Sequence, residues 1–303
     1  MSDSDLKTPD RKSVLVISSH VARGSVGNRA IVFALETLKH PVWALPTVVL
    51  PWHPGHGPAT RSMLPLDEFS AIIDDLCRAP WLGEVGAVLS GYLGSAAQAG
   101  PIAKLVAAVR DRNPGAHYLC DPVIGDKGGL YVPEETAEAV RDMLIPVASI
   151  ATPNRYELEW IAGTAFSDNA EIIEAARALG PERVLVTTAL PMMANSTGNL
   201  LVTGKDALMA EHQAIPDPPN GPGDLLSALF LSHLMDGRSD EQALQRATSS
   251  VFEILARTAK HGADELTLER EAASFVRPFA LVQMRRIATP ARPQKNKNKE
   301  KTR

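Results

Sequence analysis

The sequence predicts an α/β fold, in which a mostly parallel sheet is covered by helices on both faces. Short apolar, β-branched runs alternate with stretches of helical periodicity, from SVLVISS at 13–19 to a long helical pattern ending at residue 260. This alternation is typical of parallel sheets, whose strands are buried on both faces. No internal repeat or interior linker divides the 303 residues, so we expect one domain over 13–284.

The elements follow one another in a simple order. Strands are predicted at 13–19, 42–50, 86–91, 117–122, 147–153 and 183–188, followed by a hairpin of 199–204 and 207–215. A first helix is predicted after the Gly-rich turn that follows the first strand, and it ends at about residue 38. Further helices are predicted at 67–79, 102–112, 135–144, 170–179, 224–237 and 239–260. The buried face of the last helix is predicted to comprise Leu244, Ala247, Val251, Ile254, Leu255 and Thr258.

Composition and charge exclude several classes of protein. The net charge of -4 includes a basic C-terminal segment, 285–303, with eight Lys or Arg and one Glu, so the rest of the chain is acidic. An acidic body repels nucleic acid, and we expect no nucleic-acid partner. No apolar stretch reaches about 18 residues, which excludes a membrane-spanning helix.

The two ends and the cysteines indicate a cytoplasmic protein. The N-terminus is polar and lacks the apolar core of a secretion signal. The two cysteines, Cys77 and Cys120, form no CxxC pair and suit a reducing compartment. We expect residues 1–12 to be flexible and 285–303 to be a disordered basic tail.

Glycines and polar residues cluster where the predicted strands end. Ligands of open parallel sheets bind beyond the C-terminal ends of the strands. Ser19 ends the first strand, and Tyr92 follows the third within SGYLGS, where it could stack on a flat ring or simply pack. Asp121 and Asp126 flank the turn after the fourth, and such carboxylates either hold cations or cap turns.

Asn154 and Glu157 follow the fifth strand and allow two interpretations. Pro153 ends the strand, so a helix is expected to begin near Asn154 with Glu157 in its first turn. Asn154 and Glu157 then form a helix cap. Alternatively, Glu157 holds a hydrated magnesium ion, which prefers oxygen ligands and keeps several waters.

The segment Asn220-Gly221-Pro222-Gly223-Asp224 precedes a long apolar helix and is the strongest functional signal in the chain. Backbone N–H groups at a helix start bind anions, and glycines allow a phosphate to approach closely. An Asp at this position can take a proton from an attacking hydroxyl, and the helix dipole favours its ionised form. The alternative is a simple N-cap Asp after a glycine turn.

Taken in order, these motifs resemble the pyridoxal kinases of the ribokinase-like superfamily, from about Val14 to Lys260. The resemblance is carried by Ser19-His20-Val21, Gly27-Asn28, the LSGYLGS run at 89–95, Cys120-Asp121-Pro122-Val123, Gly125-Asp126, Tyr131-Val132-Pro133, Thr152-Pro153-Asn154, Glu157 and Gly221-x-Gly223-Asp224. It implies a three-layer α/β/α sandwich and ATP-dependent phosphorylation of the 5′-hydroxyl of pyridoxal. It also implies Mg²⁺, a monovalent cation such as K⁺, and a homodimer.

The resemblance also implies roles for individual residues by motif match. Asp224 is the expected base, and Gly221 and Gly223 border the expected anion hole. The expected pyridoxal pocket includes Ser19, Thr47, His53 and Tyr92. Cations are expected at Asp121, Thr152 and Glu157. ATP is expected to lie near Asp121, Asp126, Tyr131, Asn154, Thr187, Gly221 and Gly223.

The chain differs from the family's sequence pattern at one position of the expected anion hole, and three other functions are considered. The family usually has Thr or Val between the two glycines, whereas this chain has Pro222, which lacks an N–H donor. A related hydroxymethylpyrimidine kinase would use a similar ring pocket, but such enzymes typically have Cys where Asp224 stands. A sugar kinase would need more polar groups near the first strand. The third alternative is a non-catalytic pyridoxal-binding protein, which Pro222 alone favours.

Overall fold

The computed structural model describes residues 11–288, which form a nine-stranded sheet between layers of helices. The strands are β1 (Ser13–Val21), β2 (Val42–Leu50), β3 (Val85–Ser90), β4 (His117–Cys120), β5 (Gly125–Asp126), β6 (Gly129–Leu130), β7 (Ile150–Ala151), β8 (Arg183–Ala189), β9 (Ser196–Thr203), β10 (Ala207–Gln213) and β11 (Gln283–Arg286). The helices are α1 (Asn28–Thr37), α2 (Leu66–Arg78), α3 (Ala99–Arg112), α4 (Glu134–Ala139), α5 (Arg155–Ala162), α6 (Asn169–Leu179), α7 (Pro222–Met235), α8 (Asp240–Lys260) and α9 (Ala273–Val276).

The sheet has the order β11-β10-β9-β8-β7-β4-β3-β1-β2. Its pairings from β2 to β8 are parallel, and β9, β10 and β11 add an antiparallel edge. The two-stranded β5–β6 hairpin lies apart from this sheet. The mostly parallel α/β architecture predicted from the alternating pattern is therefore confirmed, as is the β9–β10 hairpin.

Strand β1 shows how the sheet is buried on both faces. Val14 and Val16 belong to the apolar cluster shared with α1, α7 and α8, whereas Leu15 and Ile17 belong to the cluster shared with α2 and α3. All four side chains are essentially inaccessible to water. A strand covered on both faces needs apolar residues at every position, which explains the unbroken run in the sequence.

Helices α7 and α8 differ in how much of their surface is covered. Every residue of α7 from Leu225 to His233 is buried, because the helix packs between the sheet, α1 and α8. Helix α8 buries one face, and the six residues predicted for that face are all buried. Burial of α7 fixes the position of its first turn, which lies at the C-terminal ends of the parallel strands.

Two predicted elements differ from the structure, and others were not predicted. The strand predicted at 147–153 is only Ile150–Ala151, because the preceding Ile145–Val147 forms a 3₁₀ turn that contains Pro146. The β5–β6 hairpin and α9 were not predicted. The helix predicted at 135–144 is α4 followed by a π-helical turn at Val140–Leu144.

The boundary between domain and basic tail also needs correction. Arg285 and Arg286, predicted to begin a disordered tail, lie in strand β11 and pair with β10. The guanidinium of Arg285 is 3.0 Å from the buried Glu211 carboxylate, and Arg286 contacts Asp206. The domain therefore extends past residue 284. Residues 289–303 of the predicted tail, and residues 1–10, lie outside the described residues.

Within residues 11–288, no helix combines the length and apolar character that crossing a membrane requires.

Candidate active site

The predicted site residues lie along the edge of the sheet where the parallel strands end. Ser19 is near the end of β1, Tyr92 follows β3 and Asp121 follows β4. Asn154 follows β7 and pairs with Thr187 of β8 through an isolated bridge. Helix α7 begins at this same edge, so the topology brings its first turn to the strand ends.

Asp224 lies in the first turn of α7, at the third helical position after the N-cap Gly221. Its Oδ2 accepts a hydrogen bond of 2.9 Å from the backbone N–H of Gly27. On its other side is Gly91, where an added Cβ would lie 3.9 Å from Oδ1. Asp224 is therefore not the N-cap, and its carboxylate faces the turns after β1 and β3.

The helix dipole was expected to favour the ionised form of Asp224, but the pKa of this side chain is raised. Burial raises the pKa to about 6, and the hydrogen bond from Gly27 only partly opposes that effect. A carboxyl group with such a pKa is still mostly ionised at pH 7. Asp224 can therefore accept a proton at neutral pH, and it is a stronger base than an exposed aspartate.

The glycines around Pro222 leave backbone donors free at the start of α7. Gly221 has φ 102°, and an added Cβ would lie 2.2 Å from the carbonyl oxygen of Ser25, so only glycine fits. An added Cβ at Gly223 would meet no atom within 4 Å. Among residues 11–288, no acceptor bonds the N–H groups of Gly221, Gly223 or Asp224. Pro222 is at the first helical position and contributes no donor there.

Asp121 is held by the hydroxyl group of Ser227, which also contacts the hydroxyl group of Thr152. Ser227 Oγ lies 2.9 Å from Asp121 Oδ2 and 2.9 Å from Thr152 Oγ1. Burial raises the pKa of Asp121 well above its usual range, and the nearby carboxylates of Glu157 and Asp224 raise it further. Three carboxyl groups therefore share this edge closely enough to repel one another.

Glu157 bonds to two different parts of the backbone. It forms a reciprocal capping box with Asn154, in which each side chain accepts the other's backbone N–H, at 2.9 and 2.8 Å. Its second oxygen, Oε1, accepts the N–H of Ile124 at 2.8 Å and that of Gly125 at 3.4 Å. Burial nevertheless raises the pKa of Glu157 to about 7. The predicted cap is confirmed, and it leaves the magnesium interpretation open.

The repelling carboxylates fit a bound cation. Mg²⁺ is usually held by one or two carboxylates together with waters and substrate phosphates. Among residues 11–288, no three His, Cys, Asp or Glu side chains form a ready-made metal cluster. Asp121 and Glu157 therefore suit an ion that arrives with a phosphate ligand, since its charge would offset their mutual repulsion.

Three residues predicted for the substrate pocket, Ser19, Thr47 and Tyr92, lie on or just after β1, β2 and β3. Thr47 Oγ1 donates to the carbonyl of Tyr92 at 2.6 Å, and the guanidinium of Arg61 lies 5.7 Å from the centre of the Tyr92 ring. Ser19 packs against Gly27, where an added Cβ would lie 2.4 Å from the Ser19 carbonyl oxygen. Gly27 in turn donates to Asp224, so Ser19 lies near that carboxylate.

The loop that follows β2 is tied to the same region. His53 caps the short 3₁₀ turn Pro54–His56, its Nδ1 accepting the N–H of Gly55, and burial lowers its pKa. His56 Nε2 lies 2.8 Å from Oε1 of Glu265. The other oxygen of Glu265 accepts the N–H of Ser25 at 3.1 Å. Glu265 therefore connects this loop to the turn after β1.

The β5–β6 hairpin carries Asp126 and leads into Tyr131, both of which are exposed. Asn154 Nδ2 donates to the Gly125 carbonyl at 2.7 Å, which fixes the base of the hairpin against α5. Tyr131 N–H donates to Ile124. The hairpin therefore projects from the edge that holds Asp121 and Glu157.

Two β-branched residues at this edge have backbone angles that favour glycine. Val123, just after β4, has φ 44°, and Thr188, next to Thr187, has φ 51°. Such conformations cost about 1–3 kcal/mol each and persist where surrounding contacts enforce them. At Val123 those contacts include the bonds from Glu157 to the next two amides.

Sequence reasoning missed three residues that organise the site: Ser227, Gln98 and Glu265. Gln98 donates to the Thr47 carbonyl at 2.9 Å and accepts the Gly94 N–H at 2.8 Å. Ser227 follows Asp224 by three residues, so helical spacing places it on the same face and could have identified it. Nothing in the sequence marks Glu265, whose partners His56 and Ser25 lie 209 and 240 residues away in the chain.

Comparisons with known proteins agree with this geometry. The sequence model of a family described as phosphomethylpyrimidine kinase matches residues 82–269. A pyridoxal kinase (PdxY) of Rubrobacter xylanophilus is 38% identical over 283 residues, covering 91% of this chain and 98% of the relative. One from Granulibacter bethesdensis is 38% identical, covering 88% and 96%.

Solved structures give the same result. The Leishmania donovani pyridoxal kinase in complex with ADP and pyridoxamine is 26% identical and has a TM-score of 0.86, covering 91% of this chain and all of that one. The Entamoeba histolytica pyridoxal kinase has a TM-score of 0.84 at 26% identity, with the same coverage. By sequence and by fold, the chain belongs to the pyridoxal kinase family, within the ribokinase-like fold.

Proposed function

We propose that this protein is an ATP-dependent pyridoxal kinase in which Asp224 is the general base. The observation that carries the proposal is the first turn of α7. There, a half-buried carboxylate with its pKa raised to about 6 lies beside backbone N–H groups that have no acceptor within residues 11–288. A proton acceptor next to a phosphate-binding helix start is the combination that phosphoryl transfer to a hydroxyl requires.

The reaction follows from this arrangement. Asp224 takes the proton of the 5′-hydroxyl, and the hydroxyl oxygen forms a bond to the γ-phosphorus of ATP. The bond between that phosphorus and the β,γ-bridging oxygen breaks, which releases ADP and leaves the phosphorylated product. The N–H groups of Gly221, Gly223 and Asp224 stabilise the negative charge on the transferring group. Positioning and charge neutralisation then supply most of the rate enhancement.

Cations are assigned to the carboxylates beside Asp224. Asp121, Thr152 and Glu157 would hold Mg²⁺ together with a monovalent cation such as K⁺. When bound, these ions neutralise charge on the phosphates of ATP. The raised pKa values of Asp121 and Glu157 support this assignment, because repelling carboxyl groups gain most from a neighbouring positive charge.

The remaining residues divide between the two substrates. For pyridoxal we propose a pocket walled by Ser19, Thr47, His53 and Tyr92, with the Tyr92 ring against the pyridine. For ATP we propose Asp126, Tyr131, Asn154 and Thr187, which lie on the hairpin and on the ends of β7 and β8. We also propose that the enzyme acts in the cytoplasm as a homodimer, as its resemblance to the family implies.

A second candidate is phosphorylation of hydroxymethylpyrimidine, since the matching family model is described as phosphomethylpyrimidine kinase, an enzyme acting on a related pyrimidine. Both substrates offer a hydroxymethyl group on a flat heteroaromatic ring, so one pocket could take either. The full-length relatives named as pyridoxal kinases favour the first.

The deciding experiment measures ATP consumption by the purified protein with Mg²⁺ and K⁺. Pyridoxal, pyridoxine, pyridoxamine and hydroxymethylpyrimidine are offered in turn, and the Asp224→Asn variant is the control. We expect turnover with pyridoxal that the substitution removes. Turnover with hydroxymethylpyrimidine alone would establish the second candidate. Pyridoxal binding with no turnover would indicate a binding protein.

A further inference from the structure

A cavity of about 690 Å³ lies at the end of the sheet opposite to Asp224. Its walls include Lys12 before β1, Gly86 in β3 and His117 at the start of β4. The turn between α7 and α8 closes another side. Because these strands are parallel, their first residues lie far from the catalytic edge. We call this space the basal cavity; its volume is within the range of small-molecule sites.

Positive charge exceeds negative charge around the basal cavity. Three cations line it, namely Arg11, Lys12 and Arg238, together with one carboxylate, Asp236. Asp236 lies 3.2 Å from Arg11 and offsets that charge. Lys12 donates to the backbone carbonyl of Gly83 at 3.2 Å, a bond that leaves its charge uncompensated. Two positive charges therefore remain without a counter-ion in the cavity lining.

The histidines in the cavity wall are neutral and add hydrogen-bonding groups. Burial lowers the pKa of His40, and the neighbouring Arg11 lowers it further. Burial also lowers the pKa of His117, with an added effect from Arg183. Behind the wall, burial lowers the pKa of His233 to about 4, helped by Arg238. The surroundings thus oppose the addition of further positive charge.

Several buried nitrogen atoms near the cavity have no hydrogen-bond partner within residues 11–288. They include Nε of Arg238 and Nδ1 of His40, whose side chain is almost fully buried. Buried polar groups without partners are costly, and each such group in a native structure calls for an explanation. These atoms lie beneath the surface of the cavity wall, so a ligand in the cavity would not contact them directly.

Two features of the site oppose anion binding. Helix α7 ends at Met235 and helix α3 ends next to Asn113, both of which line the cavity, and each helix C-terminus carries about half a negative charge. Two uncompensated cations outweigh these partial charges, and arginine forks bind phosphate oxygens in pairs. The balance favours an anionic ligand.

We propose that the basal cavity is a second binding site, which takes a small phosphate monoester. The dianionic phosphate group would lie between Arg11, Lys12 and Arg238. The volume exceeds that of a bare phosphate, which leaves room for an organic group beside His117 and Met235. The site is separate from the catalytic edge, and its occupancy does not depend on catalysis.

Calorimetric titration of the full chain tests this proposal with pyridoxine 5′-phosphate, a monoester without a reactive aldehyde. The wild type is expected to bind two equivalents, one at each end of the sheet. Lys12→Gln and Arg238→Gln should each weaken binding at the basal cavity by on the order of tenfold or more. Binding at the catalytic edge should stay unchanged. Arg78→Gln, which removes an exposed arginine paired with Asp75, is the matched control and should change neither.

The outcomes separate the possibilities. Because Lys12 is exposed, its replacement should leave folding intact, and the melting temperature checks this for both variants. Identical isotherms for the wild type and both cavity variants would overturn the proposal. Inorganic phosphate titrated in parallel should bind more weakly than the monoester. Equal affinity would show that the cavity does not recognise an organic group, and would overturn the assigned ligand class.

Discussion

The backbone N–H of Gly27 donates to Oδ2 of Asp224 at 2.9 Å, although the two residues are 197 positions apart in sequence. The bond joins the turn after β1 to the first turn of α7. It also lowers the pKa of a carboxyl group that burial would otherwise raise further. The backbone N–H of Gly27 therefore both orients the proposed base, Asp224, and lowers its pKa.

The pH dependence of catalysis should report the pKa of Asp224. Since the base must be ionised, kcat/KM should rise with pH through about 6 and fall about tenfold per unit below it. Asp224→Asn should lower kcat by about 10²–10⁴-fold. Initial rates from pH 5 to pH 9 check both. If Asp224→Asn showed the same fall in kcat/KM below about pH 6, that fall would belong to another ionising group.

Asp224→Asn should raise the stability of the protein, although it lowers kcat. The folded state holds the Asp224 proton more tightly than the unfolded state, whose pKa is near 3.8. The protonated Asp224 therefore stabilises the folded state fully below pH 3.8, and this stabilisation is lost as the pH rises through about 6. Asp224→Asn should raise the unfolding free energy by about 1–2 kcal/mol at pH 8, allowing for partial solvent access. Urea unfolding at pH 8 and pH 4 should show a difference only at pH 8.

Gly27→Ala should damage both the fold and the site. The residue has φ 55°, and an added Cβ would lie 2.4 Å from the Ser19 carbonyl oxygen. We expect a loss of about 1–3 kcal/mol of stability and a fall in kcat, because the turn must move away from Asp224. Gly83→Ala is the matched control, since a Cβ there meets nothing within 4 Å. Equal effects from the two changes would contradict this explanation.

Ser227→Ala should make activity more dependent on magnesium concentration. The change removes a donor from Asp121 and should raise the pKa of that carboxyl group, so protons compete better with Mg²⁺. We expect a higher apparent KM for Mg²⁺ at pH 7 and a smaller effect at pH 9.

Ser250→Ala is the control for Ser227. Ser250 is also a buried helical serine, and it donates to the Ser274 carbonyl at 2.8 Å. Both variants should lose about 1–3 kcal/mol of stability. Only Ser227→Ala should change the magnesium requirement, which is measured by titrating Mg²⁺ in the kinase assay.

Pro222→Thr should raise kcat. The proline is at the first position of α7, where an N–H would point out of the helix towards the anion hole. Restoring one such donor should increase the rate by about tenfold or more. The cost in stability should stay below about 1 kcal/mol. An unchanged kcat would mean that the remaining donors already suffice.

Much of this arrangement could be predicted from the sequence, because local patterns determine it. The apolar run of α7 and the periodic face of α8 specify buried helices, and strand ends in a parallel sheet must meet at one edge. That rule predicts that residues following these strands, Asp121 and Asn154 among them, lie together at one edge of the sheet. The pattern could not show that Asp224 is the third helical residue and not the cap.

Other features depend on partners that are distant in the chain. Strand β11 has the sequence QMRR, which lacks alternation, and its pairing is supported by the ion pair between Arg285 and the buried Glu211. Glu157 could be recognised as a cap, but its bonds to Ile124 and Gly125 arise only in the folded chain. The raised pKa of Asp224 likewise comes from burial by other segments.

The left-handed backbone at Val123 has a consequence for protein engineering. A chain selected for stability alone would be expected to have glycine or asparagine at such a position. Val123→Gly is therefore a substitution that stability screens would favour. It would also loosen the segment between Asp121 and the two amides that bind Glu157. Thermal tolerance gained there would therefore come with a less well-ordered arrangement of the residues proposed to hold cations.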